Sequence, residues 1–435
     1  MKTDTALGRL DHLSFKGNIK KARYGWLRLT PAYSVHLVSE ILDAHRGSTE
    51  RVLDPFCGTG TTALVCAERG IACDTTDINP FLLWLTAAKT RPYAKEDIAA
   101  FQRAAAQVTK AIQADSDDDQ KVWAPPLHQI EKWWDDRTLA ALSRVMCSIV
   151  TGAKERSTPV NDLLKVAFCR TMIERANVSF GHQSMSFKKG PQAELPLDAR
   201  NAIADTWGQA VASIQEAAKS PIEMMPNAIQ CDARELNSKL ERGAYTCVIT
   251  SPPYPNRMSY IRELRPYMYW LEFLRDGREA GELDWQAIGG TWGCATSNVG
   301  KWEPPTERDI PFADFATILE RIAEHSRLLS RYVHKYFYDM AGHCENLFAV
   351  TAPGGSVNYI VGNSKFYDVL LPVEQIFASL FEHVGFKNVE IRTIRKRSSK
   401  KELFEYVVSA AKPGRAARVS QLPLISSTGP STSPA

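Results

Sequence analysis

The chain has 435 residues, of which 44% are hydrophobic, and it carries a formal net charge of +4 at pH 7. This length suffices for one large domain or two, and the mild positive charge permits a polyanionic partner without requiring one. The nine cysteines form no CxxC pair, so neither a zinc ribbon nor a thioredoxin-like site is indicated. Scattered cysteines of this kind are typical of a reducing compartment, and no signal-peptide core or membrane-length apolar run is visible. We therefore expect a cytoplasmic protein without a membrane partner.

A β-α-β pattern comes first in chain order. A short buried strand, a glycine turn and a helix are predicted by RVLDPFCGTGTTALVCAERG, and a second strand ending at Asp77 is predicted by IACDTTDINP. Units of this kind build parallel sheets. We therefore expect an α/β protein with a Rossmann-like, mainly parallel sheet that begins within residues 1–91.

The rest of the chain divides by pattern into an insertion and a resumed sheet. Residues 92–222 are mainly helical in pattern, and residues 223–412 return to strands with NAIQCDAREL and AYTCVITSPPY. Within the second half, residues 275–311 are rich in Gly, Trp and Pro and are expected to be irregular. A terminal antiparallel hairpin is predicted by VEIRTI and LFEYVVSA. The tail 413–435 lacks core residues, and we expect disorder there.

The glycine turn has the chemistry of a ligand site. Gly58 and Gly60 lie between a strand and a helix, where glycine permits positive φ and a close approach of a ligand to the backbone. Asp77 ends the next strand, where a carboxylate can accept both hydroxyl groups of a ribose. The turn matches neither GxGxxG nor the GK[ST] ending of a P-loop. A nucleoside without a pyrophosphate therefore fits better than a nicotinamide cofactor or a nucleoside triphosphate.

A rigid polar corner, TSPPY, ends the later apolar strand YTCVI. The Ser251 hydroxyl and the Pro252 carbonyl can both accept hydrogen bonds from an NH₂ group, and proline fixes the direction of the carbonyl. Such acceptors favour attack by an exocyclic base amine, whose lone pair is otherwise delocalised into the ring. Tyr254 offers a flat face on which an extruded base can stack.

These motifs together resemble those of the amino-methylating, S-adenosylmethionine-dependent DNA methyltransferases. The resemblance is carried by DPFCGTGTT, TTDINP and TSPPY, and it implies a Rossmann-like methyltransferase fold, S-adenosylmethionine as cofactor with S-adenosylhomocysteine as product, and no metal. The box formed by Ser251, Pro252, Pro253 and Tyr254 matches the catalytic motif of the family. Its SPP[Y/F] form is usual in cytosine-N4 enzymes, so the resemblance implies N4-methylcytosine as the product.

The resemblance also assigns cofactor-binding positions, residue by residue. The methionine-side loop of the family corresponds to Asp54, Phe56, Gly58 and Gly60. Its ribose-binding acid corresponds to Asp77, and the polar residue beside the adenine ring corresponds to Asp232. The N-terminal motif near the cofactor carboxylate corresponds to Thr30 and Pro31.

Double-stranded DNA is the implied substrate, and several side chains are candidates to contact it. Between Lys387 and Lys401 there are seven Lys or Arg residues against the single acid Glu390, a pattern that favours contact with phosphates. The candidates are Asn256, Arg257, Arg262, Arg395, Lys396 and Arg397. Either 92–222 or 275–311 could read the target sequence, and a separate restriction endonuclease could accompany the protein.

Other functions remain as alternatives to cytosine-N4 methylation. A cytosine-C5 enzyme is disfavoured because its nucleophilic cysteine typically follows a proline, and the chain contains no Pro-Cys dipeptide. Adenine-N6 methylation of DNA is not excluded, because adenine also presents an NH₂ group beside a ring nitrogen. The remaining alternatives are methylation of an RNA base and a DNA-binding protein that has lost catalysis.

Overall fold

The computed structural model describes residues 15–18, 21–29, 32–114, 123–179, 186–188, 199–256, 259–397 and 402–414. Thr30, Pro31 and Arg257, three of the predicted site residues, lie outside these ranges. The predicted disordered tail lies outside them as well, except for residues 413 and 414. No described helix combines the length and the apolarity needed to cross a bilayer.

The described chain contains the following helices and strands. The helices are α1 (Val35–Ala44), α2 (Thr61–Arg69), α3 (Pro80–Thr90), α4 (Lys95–Gln113), α5 (Asp136–Thr151), α6 (Thr158–Glu174), α7 (Ala199–Ala218), α8 (Leu236–Lys239), α9 (Tyr260–Trp270), α10 (Gly277–Gln286), α11 (Cys294–Lys301), α12 (Phe315–His325), α13 (Arg327–Val350) and α14 (Val373–Val384). The strands are β1 (Arg51–Asp54), β2 (Ala72–Asp77), β3 (Val178–Ser179), β4 (Ser186–Phe187), β5 (Asn227–Gln230), β6 (Tyr245–Thr250), β7 (Thr351–Gly362), β8 (Ser364–Phe366), β9 (Val369–Leu371), β10 (Lys387–Lys396) and β11 (Phe404–Ala411).

A seven-stranded sheet in the order β10-β11-β7-β6-β1-β2-β5 organises the fold. The pairs β7–β6, β6–β1, β1–β2 and β2–β5 are parallel, whereas β11 runs antiparallel to both β7 and β10. The predicted class, a Rossmann-like mainly parallel sheet with a terminal antiparallel hairpin, is thereby confirmed. Because the parallel strands end at one edge, the segments after β1, β2, β5 and β6 lie close together there.

Helices cover both faces of this sheet, as a mainly parallel sheet requires. On one face, α1 and α2 contribute Val38 and Val65 to a cluster that includes Ile249 of β6. On the other, α13 and α14 contribute a second cluster with residues such as Leu347 and Phe377. Burying each such side chain stabilises the fold by about 1.5–3 kcal/mol.

The helical block within 92–222 packs around a core shared with α3 and α9. Two buried tryptophans anchor it: Trp134 donates its indole N–H to the Met172 carbonyl at 2.9 Å, and Trp207 donates to the Ala105 carbonyl at 3.2 Å. These indoles are satisfied inside the block and are at most 1% exposed. They serve packing, not base stacking.

The stretch 275–311, which we expected to be irregular, contains the short helices α10 and α11. Asp276 caps α10 by accepting a hydrogen bond from the Glu279 N–H at 2.8 Å. The buried face of α10 consists of Ala280, Gly281 and Asp284, so it lacks the large apolar side chains from which helical periodicity is predicted. The prediction of irregular structure is therefore wrong for these two helices.

Candidate active site

The loop between β1 and α2 forms one side of the site. Gly58 and Gly60 have φ angles of +52° and +74°, in the left-handed region that glycine adopts without strain. Gly60 is the N-cap of α2, and a Cβ added there would lie 2.4 Å from Oγ1 of Thr86 on α3. The position therefore requires glycine both for its backbone angle and for its packing.

Asp77 faces this loop from the end of β2. Its Oδ2 atom accepts a hydrogen bond from the Gly58 N–H at 3.1 Å, and its Oδ1 atom accepts one from the Asn79 N–H at 2.9 Å. Burial raises the pKa of Asp77 to about 6, although these backbone hydrogen bonds oppose the shift. Each carboxylate oxygen keeps a further lone pair, so the side chain can still accept hydrogen bonds from a diol.

Asp54 joins this loop to the Ser251–Tyr254 corner. Its fully buried carboxylate accepts hydrogen bonds from the hydroxyl groups of Thr250 at 2.6 Å and Tyr33 at 3.0 Å, and from the Phe56 N–H at 3.2 Å. Burial raises the pKa of Asp54 to about 7. Because Thr250 immediately precedes Ser251, the carboxylate fixes the end of β1 against the end of β6.

The Ser251–Tyr254 corner is attached to β11 by a hydrogen bond. The Tyr254 hydroxyl donates to Oε1 of Glu405 at 2.9 Å. A carboxylate only accepts, so the Tyr254 hydrogen points to Glu405. Ser251 lines the cavity at the start of the corner, and a serine hydroxyl oxygen can accept hydrogen bonds.

The two prolines of the corner differ in their partners. The Pro253 carbonyl accepts a hydrogen bond from the Tyr336 hydroxyl at 2.7 Å, which holds the corner from α13. Within the described ranges, no group donates a hydrogen bond to the Pro252 carbonyl. The Pro253 carbonyl therefore holds the corner in place, and the Pro252 carbonyl can accept a hydrogen bond from a ligand.

The hairpin β10–β11 supplies a second wall beside the corner. Nε of Arg395 donates to Oε2 of Glu405 at 2.7 Å, and the guanidinium of Arg397 lies 5.0 Å from the ring centroid of Tyr254. The Lys396 ammonium turns instead toward the Phe404 ring, 5.8 Å away. Two of the three predicted basic residues of the hairpin thus meet at the corner.

One cavity of about 240 Å³ connects the loop side and the corner side. Eleven of the predicted site residues line it: Phe56, Gly58, Asp77, Asp232, Ser251, Pro252, Pro253, Tyr254, Asn256, Arg395 and Arg397. Four described ones do not: Asp54, Gly60, Arg262 and Lys396. Asp54 and Gly60 do not face the cavity but hold the elements that line it, through the contacts with Thr250 and Thr86 given above. Arg262 is exposed on α9.

The far end of the cavity is built by the segment after β5. Asp232 accepts hydrogen bonds from Arg234, with Oδ2 2.5 Å from Nη2. Burial would raise the pKa of Asp232, but the hydrogen bonds and charge of Arg234 outweigh it and the pKa is lowered. Asp232 therefore stays ionised while it faces the cavity.

A buried histidine supports the same end. Nδ1 of His343 lies 2.7 Å from the Ala233 carbonyl, Nε2 lies 2.6 Å from the Tyr359 hydroxyl, and its ring packs edge-on to Phe56 at 4.8 Å between centroids. Burial lowers the pKa of His343 to about 4. The ring is therefore neutral, with its hydrogen on Nδ1, since a carbonyl only accepts.

Sequence reasoning missed several residues of this site. Glu405 and Tyr33 contact predicted residues, and Gln286 lines the cavity from α10. Glu405 had a usable signal: it shares its buried strand face with Val407, and a charged residue at such a position is rare unless it has a partner. Tyr33 and Gln286 carry no such signal. Within the described ranges, no group of three or more His, Cys, Asp or Glu residues could hold a metal ion.

The chain is similar in sequence to enzymes that carry out methyl transfer. It is 24% identical over 410 residues to the type II methyltransferase M.AvaI of Nostoc sp., an alignment that covers 87% of this chain and 82% of the relative. It is 22% identical over 436 residues to the type II methyltransferase M.BsoBI of Geobacillus stearothermophilus, covering 88% and 82%. Its relatives are type II methyltransferases. These names confirm the predicted resemblance at that level and do not state which base is modified. No family model matches the chain.

Solved structures give weaker similarity. A putative DNA modification methylase from Thermus thermophilus, complexed with S-adenosyl-L-methionine, has a TM-score of 0.23 at 17% identity and covers 44% of this chain and 56% of its own. The rRNA methyltransferase aviRa from Streptomyces viridochromogenes has a TM-score of 0.29 at 12% identity, covering 88% and 86%. Scores this low carry no argument, and the fold rests on the sheet order given above.

Proposed function

We propose that the protein is an S-adenosylmethionine-dependent DNA methyltransferase of a restriction-modification system, which methylates the N4 amine of an extruded cytosine. One observation carries the proposal: Gly58 and Asp77 line the same cavity as Ser251 and Tyr254. A methyl donor and an acceptor amine could therefore meet within one space. The SPPY form of the corner and the similarity to type II methyltransferases support the choice of substrate.

The lining of the cavity fits this cofactor chemically. The Asp77 carboxylate suits the two ribose hydroxyls, and the ionised Asp232 suits the amino group of an adenine. The Phe56 ring offers an apolar face beside them, and Gly58 allows close approach to the backbone. When bound, S-adenosylmethionine supplies an activated methyl group.

The corner residues prepare the accepting amine. The Ser251 lone pairs and the Pro252 carbonyl accept the two N–H hydrogens, which favours the pyramidal form of the nitrogen. Glu405 fixes the Tyr254 hydroxyl, and Tyr336 fixes the Pro253 carbonyl next to the Pro252 acceptor. The acceptors are thus oriented before the base arrives, so little reorganisation is needed during transfer.

The substrate side of the cavity carries positive charge suited to double-stranded DNA. Arg395 and Arg397 line it, together with Asn256, and such groups can contact the backbone around an extruded base. Gln286, Ala287 and Ile288 also line it, which favours 275–311 over the helical insertion 92–222 as the segment that reads the target. We further propose that a separate cognate restriction endonuclease accompanies the protein. The protein itself would be located at the nucleoid in the cytoplasm.

The test is to express the protein in a methylation-free host and map modified bases by single-molecule sequencing. We expect N4-methylcytosine at one recurrent sequence. N6-methyladenine as the sole product would replace the cytosine assignment, and modification confined to RNA would remove the DNA assignment. Binding of S-adenosylmethionine without methylation of any nucleic acid would show that catalysis has been lost.

Asp77→Ala should weaken the binding of S-adenosylmethionine by about 1–3 kcal/mol, because hydrogen bonds to a charged acceptor are lost. Titration calorimetry measures this directly. Asp135→Ala is a matched control, since Asp135 also accepts a backbone N–H, from Thr138 at 3.0 Å, but lies outside the cavity lining. Equal affinities of wild type and Asp77→Ala would remove Asp77 from the site.

Tyr254→Ala should lower kcat/KM for DNA about 5- to 150-fold, because stacking of one base is worth about 1–3 kcal/mol. Tyr254→Phe keeps the ring and loses the hydroxyl group with its hydrogen bond to Glu405, so its activity should lie between those of alanine and wild type. Steady-state kinetics on a duplex with the mapped site measures both. If the phenylalanine variant is as impaired as the alanine variant, stacking is not the role of this ring.

A further inference from the structure

Arg234 joins three separate parts of the protein through one guanidinium group. Its Nε and Nη2 atoms donate to the two carboxylate oxygens of Asp232, at 2.9 Å and 2.5 Å, and Nη1 donates to Oδ1 of Asp339 on α13 at 3.0 Å. Nη2 also donates to the carbonyl of Gln286, the last residue of α10, at 2.8 Å. Because the group is planar and rigid, these four hydrogen bonds hold the three parts in one relative arrangement.

Two of the residues that Arg234 holds line the proposed active site. Asp232 and Gln286 both line the large cavity, whereas Arg234 does not. Asp232 is the proposed contact of the adenine of the methyl donor. Gln286 begins the stretch 286–288, which is the part of 275–311 that lines this cavity. Arg234 therefore acts on the cavity through the residues that it holds.

A second cation, Lys335 on α13, completes the cluster around Arg234. Its Nζ atom donates to Oδ2 of Asp339 at 2.6 Å and lies 4.7 Å from the ring centroid of Trp285 on α10. The side chains of Lys335 and Asp339 are only 10% and 7% exposed. The two cations balance the charges of Asp339 and Asp232, so the cluster needs no bound ion for neutrality. Its contacts instead attach α10 and Asp232 to α13.

We infer that Arg234 is a positioning residue that couples binding of the methyl donor to binding of DNA, and this inference rests on the proposed function. Nη2 is the shared atom, because it donates both to Oδ2 of Asp232 and to the Gln286 carbonyl. A donor whose adenine amine holds Asp232 also holds Nη2, and through it residues 286–288. DNA then binds a segment that is already ordered, so each ligand strengthens the binding of the other by the same factor.

The test measures the affinity for a duplex with the mapped site, with and without saturating S-adenosylhomocysteine, which carries the adenine but no methyl group to transfer. In the wild-type protein, S-adenosylhomocysteine should raise the affinity for the duplex about 5- to 150-fold. Arg234→Met should reduce this factor to less than about twofold. Arg234→Lys keeps a positive charge but not the planar fork, so it should show the same loss. It is also the second variant if the methionine variant unfolds.

Hydrogen exchange detects the same coupling without DNA. In the wild-type protein, S-adenosylhomocysteine should slow amide exchange both in the loop of Gly58 and in residues 286–288. In the two Arg234 variants, with each protein saturated, the loop should still be protected and residues 286–288 should not. A merely structural role would not give this pattern, because a loosened fold exchanges faster whether or not the ligand is bound.

Arg51→Met is the matched control. Arg51 also lies between two carboxylates, with Nη2 2.6 Å from Oδ2 of Asp74 and Nη1 3.4 Å from Oε2 of Glu241. It is the first residue of β1, at the end of the strand opposite Asp54, and it does not line the cavity. Its variant should keep the wild-type coupling factor and the wild-type protection of residues 286–288.

Three results would overturn the inference alone. The first is a wild-type protein that binds both ligands without coupling, and the second is coupling that persists in both Arg234 variants. The third is an equal loss of coupling in Arg51→Met, which would mean that the loss of any such ion pair suffices. If the wild-type protein fails to bind S-adenosylhomocysteine or the duplex, the proposed function itself fails, and the inference fails with it.

Discussion

Ser251→Ala should lower kcat for DNA methylation roughly 10²- to 10³-fold, the usual cost of removing one preorganised hydrogen-bonding group at a reacting centre. The Pro252 carbonyl remains, so one of the two amine hydrogens keeps its acceptor. Affinity for S-adenosylmethionine should stay unchanged, because the cofactor contacts proposed above come from the loop, Asp77 and Asp232. Single-turnover kinetics and calorimetry together separate these quantities.

The Ser251 experiment has a control on strand β8, which pairs with β9 and not with β6. The Ser364 hydroxyl is buried, has no hydrogen-bond partner among the described residues and does not line the cavity. Ser364→Ala therefore removes a buried hydroxyl without touching the corner, and its kcat should match that of wild type. Unchanged turnover in Ser251→Ala would contradict the acceptor role of this hydroxyl.

Gly60→Ala should destabilise the protein by about 2–4 kcal/mol, because a left-handed angle and an overpacked contact are forced together. The new Cβ would lie 2.4 Å from Oγ1 of Thr86, so either α2 or α3 must shift. The midpoint of urea denaturation reports the loss. The shift would also disturb the loop in which the Gly58 N–H donates a hydrogen bond to Asp77, so S-adenosylmethionine should bind more weakly.

Gly47→Ala separates the two contributions at Gly60. Gly47 also has a left-handed φ, +90°, but a Cβ there meets nothing within 4 Å. Its alanine variant should therefore lose only the backbone contribution, about 1–2 kcal/mol. If the two variants are equally stable, steric contact with Thr86 contributes nothing at Gly60.

The sequence predicted the parts of the fold and site that depend on local chemistry. The β-α-β unit around Gly58, the hairpin β10–β11 and the Ser251 corner each follow from short runs of residues. Glu405 escaped prediction because it is 151 positions from Tyr254 along the chain. Such contacts depend on sheet order, which pairs β11 with β7 beside β6, and no local pattern encodes that neighbourhood.

The helices of 275–311 escaped for a different reason. Periodicity reveals a helix through large apolar side chains, whereas α10 buries small residues and Asp284. That carboxylate accepts hydrogen bonds from the Ser259 hydroxyl at 2.5 Å and from the Trp292 N–H at 2.7 Å. The segment is thus attached beside the corner by polar contacts, which hydrophobic patterning does not detect.

The hydrogen bond between Asp54 and Thr250 joins residues 196 positions apart, yet they end adjacent strands, which lie about 4.8 Å from each other. The distance between the end of β1 and the Ser251 corner is therefore fixed by the spacing of neighbouring strands and is independent of the length of chain between them. The number of intervening residues can change without moving the two sides of the cavity apart.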